Sequence, residues 1–496
     1  MIRVTAADRL RLVGFGVLAA APAFVGYGDF ILNHFYRYGA VLLDSGLLAD
    51  LAWHQGPSLA GSFLLDGKGF YAFHIAPIFV LLSALSRLAP VAMAQWFAIF
   101  TGTAQALLAV AVFWLLAADY GLRRGWRIAA AILLAVAFSY NGLAIAQVRY
   151  PHFEILIAAG MMLFVVAWRH RQWVLAAAFF LLTLLCREDA GFQLVAVLGV
   201  VIALQWRDGV PLSRQRPALI FLGLGLAYSV GAVVLSTLLF PDHSSFIRTY
   251  LGSPPFGHLS WALVGARAAG YLTARGYIFL PAILATIWAI AARNPYIVAG
   301  YIAFIPWTLL HLVAASPLAG TLSSYYGFPY LVAAFWPLIG YRMRPARRRY
   351  EPFLGFAVMI LASFAGLSAQ HDPTHIPLLA GFTDPPAFAE QARVEQAMTA
   401  IAADHAALGR VLAGDSVASL KPEAFHRDET WWDGPPGRRD SLLYFAHDRD
   451  AARMARLAKA SGLARRYAVA GTPIRLWTDR RPAQLPRLGR LLKPAT

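Results

Sequence analysis

The chain has 496 residues, 59% of them hydrophobic and 14% charged, with a mean hydropathy of +0.56 and a formal net charge of +17. Long apolar stretches recur from about residue 12 to residue 369, which excludes a soluble enzyme and makes the fold class an all-α polytopic membrane protein. The positive charge is nearly all arginine and gathers between the apolar stretches, the pattern of cytoplasmic loops, so no nucleic-acid partner is read from it. The single cysteine, Cys186, excludes an internal disulfide.

Basic clusters lie at Arg3/Arg9/Arg11, Arg123/Arg124/Arg127, Arg169/Arg171, Arg207/Arg214/Arg216, Arg293 and Arg342/Arg344/Arg347/Arg348/Arg349. If all share the cytoplasmic side, an even number of spans separates each from the next. The apolar runs then divide into spans at 12–30, 96–118, 128–148, 153–168, 172–186, 190–206, 218–240, 277–292, 296–313, 328–341 and 353–369, about 11 transmembrane helices. The first is read as an uncleaved anchor, although Ala21-Pro22-Ala23 resembles a signal-peptidase site. The N-terminus is cytoplasmic and the chain after 371 periplasmic.

Outer loop 31–95 carries "LLDSGLLADLAWHQG", apolar at three- and four-residue spacing, and "FHIAPIFVLLSALSRLAP", short for a span; both suit helices lying on the membrane surface. A second outer segment covers 241–276. Residues 1–371 form the transmembrane module. Residues 372–496 are polar, and "DSLLYF", "DRDAARMARLAKASG" and the alternating "RRYAVAGTPIRLWTD" read as strand, helix and strand of a small soluble α/β domain.

Polar residues of the outer loops are the candidate site: Asp44, Asp50 and His74; Arg149, His152 and Glu154; Arg187, Glu188 and Asp189; Asp242, His243 and Arg248; Tyr325 and Tyr326. Asp50, Asp242 and His243 read as ordinary loop residues. His152/Glu154 and Glu188/Asp189 do not, because their loops are a few residues long and hold ionisable groups at the acyl boundary, where such groups are expensive. A carboxylate there can take a proton from a hydroxyl, an arginine can clamp a phosphate, and His74 and His152 with an acid can hold a divalent cation such as Mg or Mn. No glycine-rich phosphate loop accompanies them, which disfavours cytoplasmic nucleotide-sugar chemistry.

The ordered set "LLDSGLLADLAWHQG", "FHIAP", "RYPHFEIL", "CREDAGF" and "SSYYGFP", over roughly residues 35–340, resembles a family of bacterial and archaeal predicted membrane proteins of unknown function. That family is similar in layout to the C-type (GT-C) glycosyltransferases, which include protein mannosyltransferases and the aminoarabinose transferase of lipid A. The resemblance implies a GT-C-like module in the bacterial inner membrane that moves a sugar from a polyprenyl-phosphate donor to an acceptor on the periplasmic face. Asp44 matches the first-loop catalytic acid and Glu154 the second-loop acid; Glu188 and Asp189 are further catalytic candidates. Arg149, Arg187, Tyr325 and Tyr326 are candidates for substrate binding. A lipid or small-molecule transporter, or a non-catalytic protein on a degenerate transferase scaffold, is the competing reading.

Asp44 stands nine residues before Trp53 in the amphipathic stretch. Asp44→Asn is expected to abolish sugar transfer at unchanged thermal stability. A residue that merely caps a surface helix would instead cost about 1 kcal/mol of stability and leave transfer intact.

Overall fold

A computed structural model of the chain describes residues 6–38, 48, 51–53, 70–88, 91–120, 125–148, 152–240, 249–344, 351–368, 388–426, 429, 438–446 and 451–495. Among the described residues the apolar part is built of helices: α1 (Ala6–Tyr38), α2 (Ile78–Leu88), α3 (Met93–Tyr120), α4 (Gly125–Ser139), α5 (Gly142–Val148), α6 (Ile155–Arg169), α7 (Trp173–Cys186) and α8 (Ala190–Arg207). There follow α9 (Arg216–Leu239), α10 (Trp261–Ala274), α11 (Gly276–Ala291), α12 (Ile305–Leu312), α13 (Pro329–Tyr341) and α14 (Glu351–Ser368).

Five segments are long and apolar enough to cross a membrane: Leu12–Arg37, Met93–Asp119, Ala190–Arg207, Leu212–Leu239 and Pro295–Leu312. Two bent pairs, α4–α5 with a 44° bend and α10–α11 with an 81° bend, raise the number to seven if each pair is one span. The chain is thus a multi-pass, all-α membrane-type bundle, but eleven spans are more than helix length alone supports. α6, α7 and α13 have 15, 14 and 13 residues; at 1.5 Å per residue a 14-residue helix rises about 21 Å, short of a hydrocarbon core of about 30 Å.

The break inside the expected 128–148 span has a local cause. Asn141 Oδ1 accepts from the Leu143 and Ala144 amides, at 2.9 and 3.0 Å, and so starts α5 as a new helix. The second outer segment, 241–276, contains a helix that hydropathy did not single out. α10 begins at Ser260, whose hydroxyl accepts from the Leu263 amide, and it shows Trp261 and Leu272 to the surroundings.

Charges sort to the two ends of the bundle. At one end Arg169 Nε lies 2.8 Å from Asp119 Oδ2, Arg342 Nη2 donates to the Asp119 carbonyl at 3.0 Å, and Arg344 pairs with Asp208 at 3.0 Å. These residues close α3, α6, α8 and α13, so basic clusters far apart in sequence share one end. Arg187–Asp189, at the other ends of α7 and α8, lie opposite.

The C-terminal part holds α15 (Phe388–Ala403), α16 (Ala451–Ala460) and strands β1 (Val411–Ala413), β2 (Ser441–Phe445), β3 (Arg465–Val469), β4 (Ile474–Thr478) and β5 (Leu492–Pro494). Sheet order is β1-β2-β4-β3-β5, with β1 parallel to β2 and the other pairs antiparallel. Alternate residues face opposite sides: Leu443, Phe445 and Leu476 pack with Val394 and Ile401 of α15, while Leu442 and Tyr444 pack with Met454 and Ala458 of α16. "RRYAVAGTPIRLWTD", read from the sequence as one strand, is a hairpin of β3 and β4 that turns at Gly471, whose φ of 70° suits glycine.

α1 runs antiparallel to α3, with Gly16 beside Phe113 and Gly28 beside Ala98, so its last turn reaches the end opposite the basic one. There Tyr36 donates to Glu395 and Arg37 Nε pairs with Glu390 at 3.2 Å, both acids lying on α15. The α/β domain therefore rests on the same end of the bundle as Arg187–Asp189. Cysteines at exposed Gln172 and Ala483 lie on opposite ends; in intact cells an impermeant thiol reagent is expected to label one and spare the other. Equal labelling would contradict this arrangement.

Candidate functional site

Three helix ends meet at Arg187. It follows α7 in an extended conformation, while Glu154 and Asp189 are the residues before α6 and α8. A carboxylate at a helix N-terminus ordinarily caps its own amides, yet neither side chain does so here. Both turn to the guanidinium. Nη1 lies 2.6 Å from Glu154 Oε1, Nε donates to Asp189 Oδ1 at 2.6 Å, and Nη2 donates to Asp189 Oδ2. Arg187, Glu154 and Asp189 are 5%, 2% and 4% exposed, so the triad is buried.

The turn is held by close helix packing. A Cβ on Gly191 would come within 2.1 Å of the Gly225 carbonyl, and the Phe192 amide donates to Ser229 Oγ at 3.2 Å. Only a residue without a side chain lets α8 approach α9 this closely, the way small residues bring membrane helices together.

Beside the triad, His74 Nδ1 and Glu188 Oε1 are 3.0 Å apart, with His74 a third exposed. His152 Nδ1 lies 3.7 Å from Glu154 Oε1. The second Glu188 oxygen, Oε2, is buried and accepts no hydrogen bond among the described residues; nor does the hydroxyl of Tyr228, which lies within electrostatic reach of Glu188, find a partner among them. An aromatic wall continues the site. Tyr250, which feels the Arg187 charge, stacks edge-on with His311 at 5.2 Å, and His311 packs at 4.9 Å against Tyr326.

The two carboxylates that share Arg187 differ. Burial raises the Glu154 carboxyl above the usual range, more than Arg187 and His74 lower it. Burial would also raise Asp189, but the two-pronged contact with Arg187 outweighs it and holds Asp189 below its ordinary value. Burial depresses the His74 imidazole, and the adjoining Glu188 charge more than reverses this, leaving it raised.

His74, His152, Glu154, Arg187, Glu188, Asp189 and Tyr326 therefore come from four separate stretches into one neighbourhood. Tyr228, Tyr250 and His311 join them without a motif to mark them; His311, for one, is a lone polar residue between Leu310 and Leu312. Asp44, Asp50, Arg149, Asp242, His243 and Arg248 lie outside the described residues, as does the side chain of Tyr325. The fork of Arg187, expected to clamp a phosphate, faces two carboxylates. Among the described residues the one group of three His, Cys, Asp or Glu side chains whose ligand atoms lie within 4.8 Å of one another is in the C-terminal domain and includes neither His74 nor His152. Comparison with protein-family profiles and with curated proteins returned no match.

Arg187→Gln leaves two buried carboxylates without their cation and is expected to cost about 3–5 kcal/mol, read as a large fall in the unfolding temperature of the detergent-solubilised protein. Glu188→Gln, beside a part-exposed partner, should shift it little. Because the His74 imidazole is raised by folding, its contribution is complete below about pH 6.5 and fades as pH rises through the raised value. That fade should vanish in Glu188→Gln.

Proposed function

We propose that the protein is an integral membrane glycosyltransferase of the C type, moving a sugar from a polyprenyl-phosphate donor to an acceptor hydroxyl on the periplasmic face of the bacterial inner membrane. In this reading the four short apolar helices Ile155–Arg169, Trp173–Cys186, Pro329–Tyr341 and Pro352–Leu367 also span. Together with the seven longer segments they make eleven spans, with the N-terminus cytoplasmic and the C-terminal domain periplasmic. One observation carries the proposal: ionisable residues from separate turns converge at helix ends on one end of the bundle. A proton or ion pathway favours carboxylates at mid-helix, near the membrane midplane. A group that acts on a lipid-linked phosphate favours headgroup depth, where helix ends lie.

Glu188 is the base in this scheme. His74 hydrogen-bonds Oε1 and leaves Oε2 to accept the proton of the acceptor hydroxyl. The acceptor oxygen bonds to the anomeric carbon as the bond from that carbon to the phosphate oxygen breaks, and the polyprenyl phosphate leaves with the electron pair. Arg187 is a positioning residue: by holding Glu154 and Asp189 it fixes the ends of α6, α7 and α8 against which Glu188 is set. Asp44 orients the acceptor, and Arg149 meets the phosphate. Tyr228, Tyr250 and Tyr326 line the way for the sugar.

Protein reconstituted in vesicles and supplied with a panel of polyprenyl-phosphate sugars is expected to consume one donor. Glu188→Gln should slow that reaction by about 10²–10⁴-fold at unchanged unfolding temperature. Full-rate turnover by Glu188→Gln would remove Glu188 from the chemistry, and consumption of no donor by the unmodified protein would remove the transferase reading.

A further inference from the structure

In the C-terminal domain, the short helix His405–Leu408 follows α15, and Glu429 lies against β1 with its amide bonded to the His426 carbonyl. His405 Nε2 and Glu429 Oε2 are 2.7 Å apart. The His426 ring stands edge-on to that of His405 with centroids 5.3 Å apart, and hydrogen-bonds to none of the described residues. The ligand atoms of all three lie within 4.8 Å of one another. From these positions we infer that His405, His426 and Glu429 form a binding site for a transition-metal ion of the zinc class.

The frame under this group is built before any metal arrives. The Ala413 amide of β1 donates to the Glu429 carbonyl at 2.8 Å, the Glu429 amide to the His426 carbonyl at 3.0 Å, and the His426 amide to Glu429 Oε2 at 2.8 Å. On the other side Asp404, next to His405, accepts from the Arg487 and Leu488 amides at 2.9 and 2.7 Å. Glu429 is thereby pinned to β1, and the stretch before His405 to the turn at Arg487–Leu488. An ion pair would need one imidazole and one carboxylate; the second imidazole, brought to the same point and exposed, is surplus to that purpose.

Two imidazoles and one carboxylate are a donor set suited to zinc, with water in a fourth position. In a tetrahedral site with bonds of about 2.0–2.1 Å the ligand atoms sit about 3.4 Å apart. His405 and Glu429 open slightly to reach that spacing, and His426 swings in from solvent. Glu429 is buried, His405 half-buried and His426 exposed, so the open position faces water. The sequence carries a trace of the site in His426-x-x-Glu429, but nothing in it brings His405 alongside.

The full chain, purified with no affinity tag and stripped by chelator, is titrated with zinc and separately with cobalt(II). One zinc per chain is expected, together with the visible absorption of cobalt in a four- or five-coordinate nitrogen and oxygen site. His426→Ala, a change at an exposed residue, should keep the unfolding temperature of the metal-free protein. It should weaken zinc by at least the roughly 10–100-fold that loss of even an outer-shell partner costs, and abolish the cobalt band. His74→Ala, in the membrane-end site, should change neither. Failure of the unmodified chain to bind zinc, binding unaltered by His426→Ala, or binding lost in His74→Ala would each overturn the assignment.

Discussion

The guanidinium of Arg187 is the point on which the membrane part of the fold depends. One cation neutralises two carboxylates, and the three residues belong to the ends of three different helices. Taking any of these charges into a low-dielectric interior is costly, and together they offset it by setting one cation against two carboxylates. The arrangement acts as a three-way joint. α6 cannot slide against α7, nor α7 against α8, without exposing a charge to apolar surroundings. Glu154 and Asp189 forgo ordinary helix capping to serve this joint, and the tight contact of Gly191 with α9 fixes the joint in turn to a fourth helix.

Rigidity at that point has a counterpart at the other end of the bundle. There Asp119 gathers Arg169 and Arg342, and Asp208 gathers Arg207 and Arg344. The basic end is the more exposed of the two, so its pairs are weak one by one and act as a polar rim. The acid-rich end is buried and discriminating. Among the atoms left there without a hydrogen-bond partner among the described residues are Glu188 Oε2 and Tyr228 Oη.

Much of this was legible in the residue order. The alternation of arginine clusters placed Arg187–Asp189 in a tight turn and opposite the basic loops, because the placement of charge constrains topology more firmly than hydropathy does. Glu154 and Glu188 stood out because their turns are too short to be ordinary loops. Helix lengths were less legible: a hydropathy run cannot distinguish one span from a helix broken at Asn141, where a side chain caps the restart. The division of Arg187 between two acids could not be read either, since which charge pairs with which is a matter of side-chain direction. His405 and His426 stand 21 residues apart with a strand between them, and only the sheet brings them side by side.

The contact of α1 with α15 bears on how the molecule is made. α1 leaves the ribosome first among the described helices and α15 comes after the whole bundle, yet Tyr36 and Arg37 of the one bond Glu395 and Glu390 of the other. During synthesis the C-terminal turn of α1 must wait, with its polar groups solvated, until nearly all the chain has been made and the last domain has folded. The clasp therefore closes last, and its closure marks a bundle whose ends have found one another.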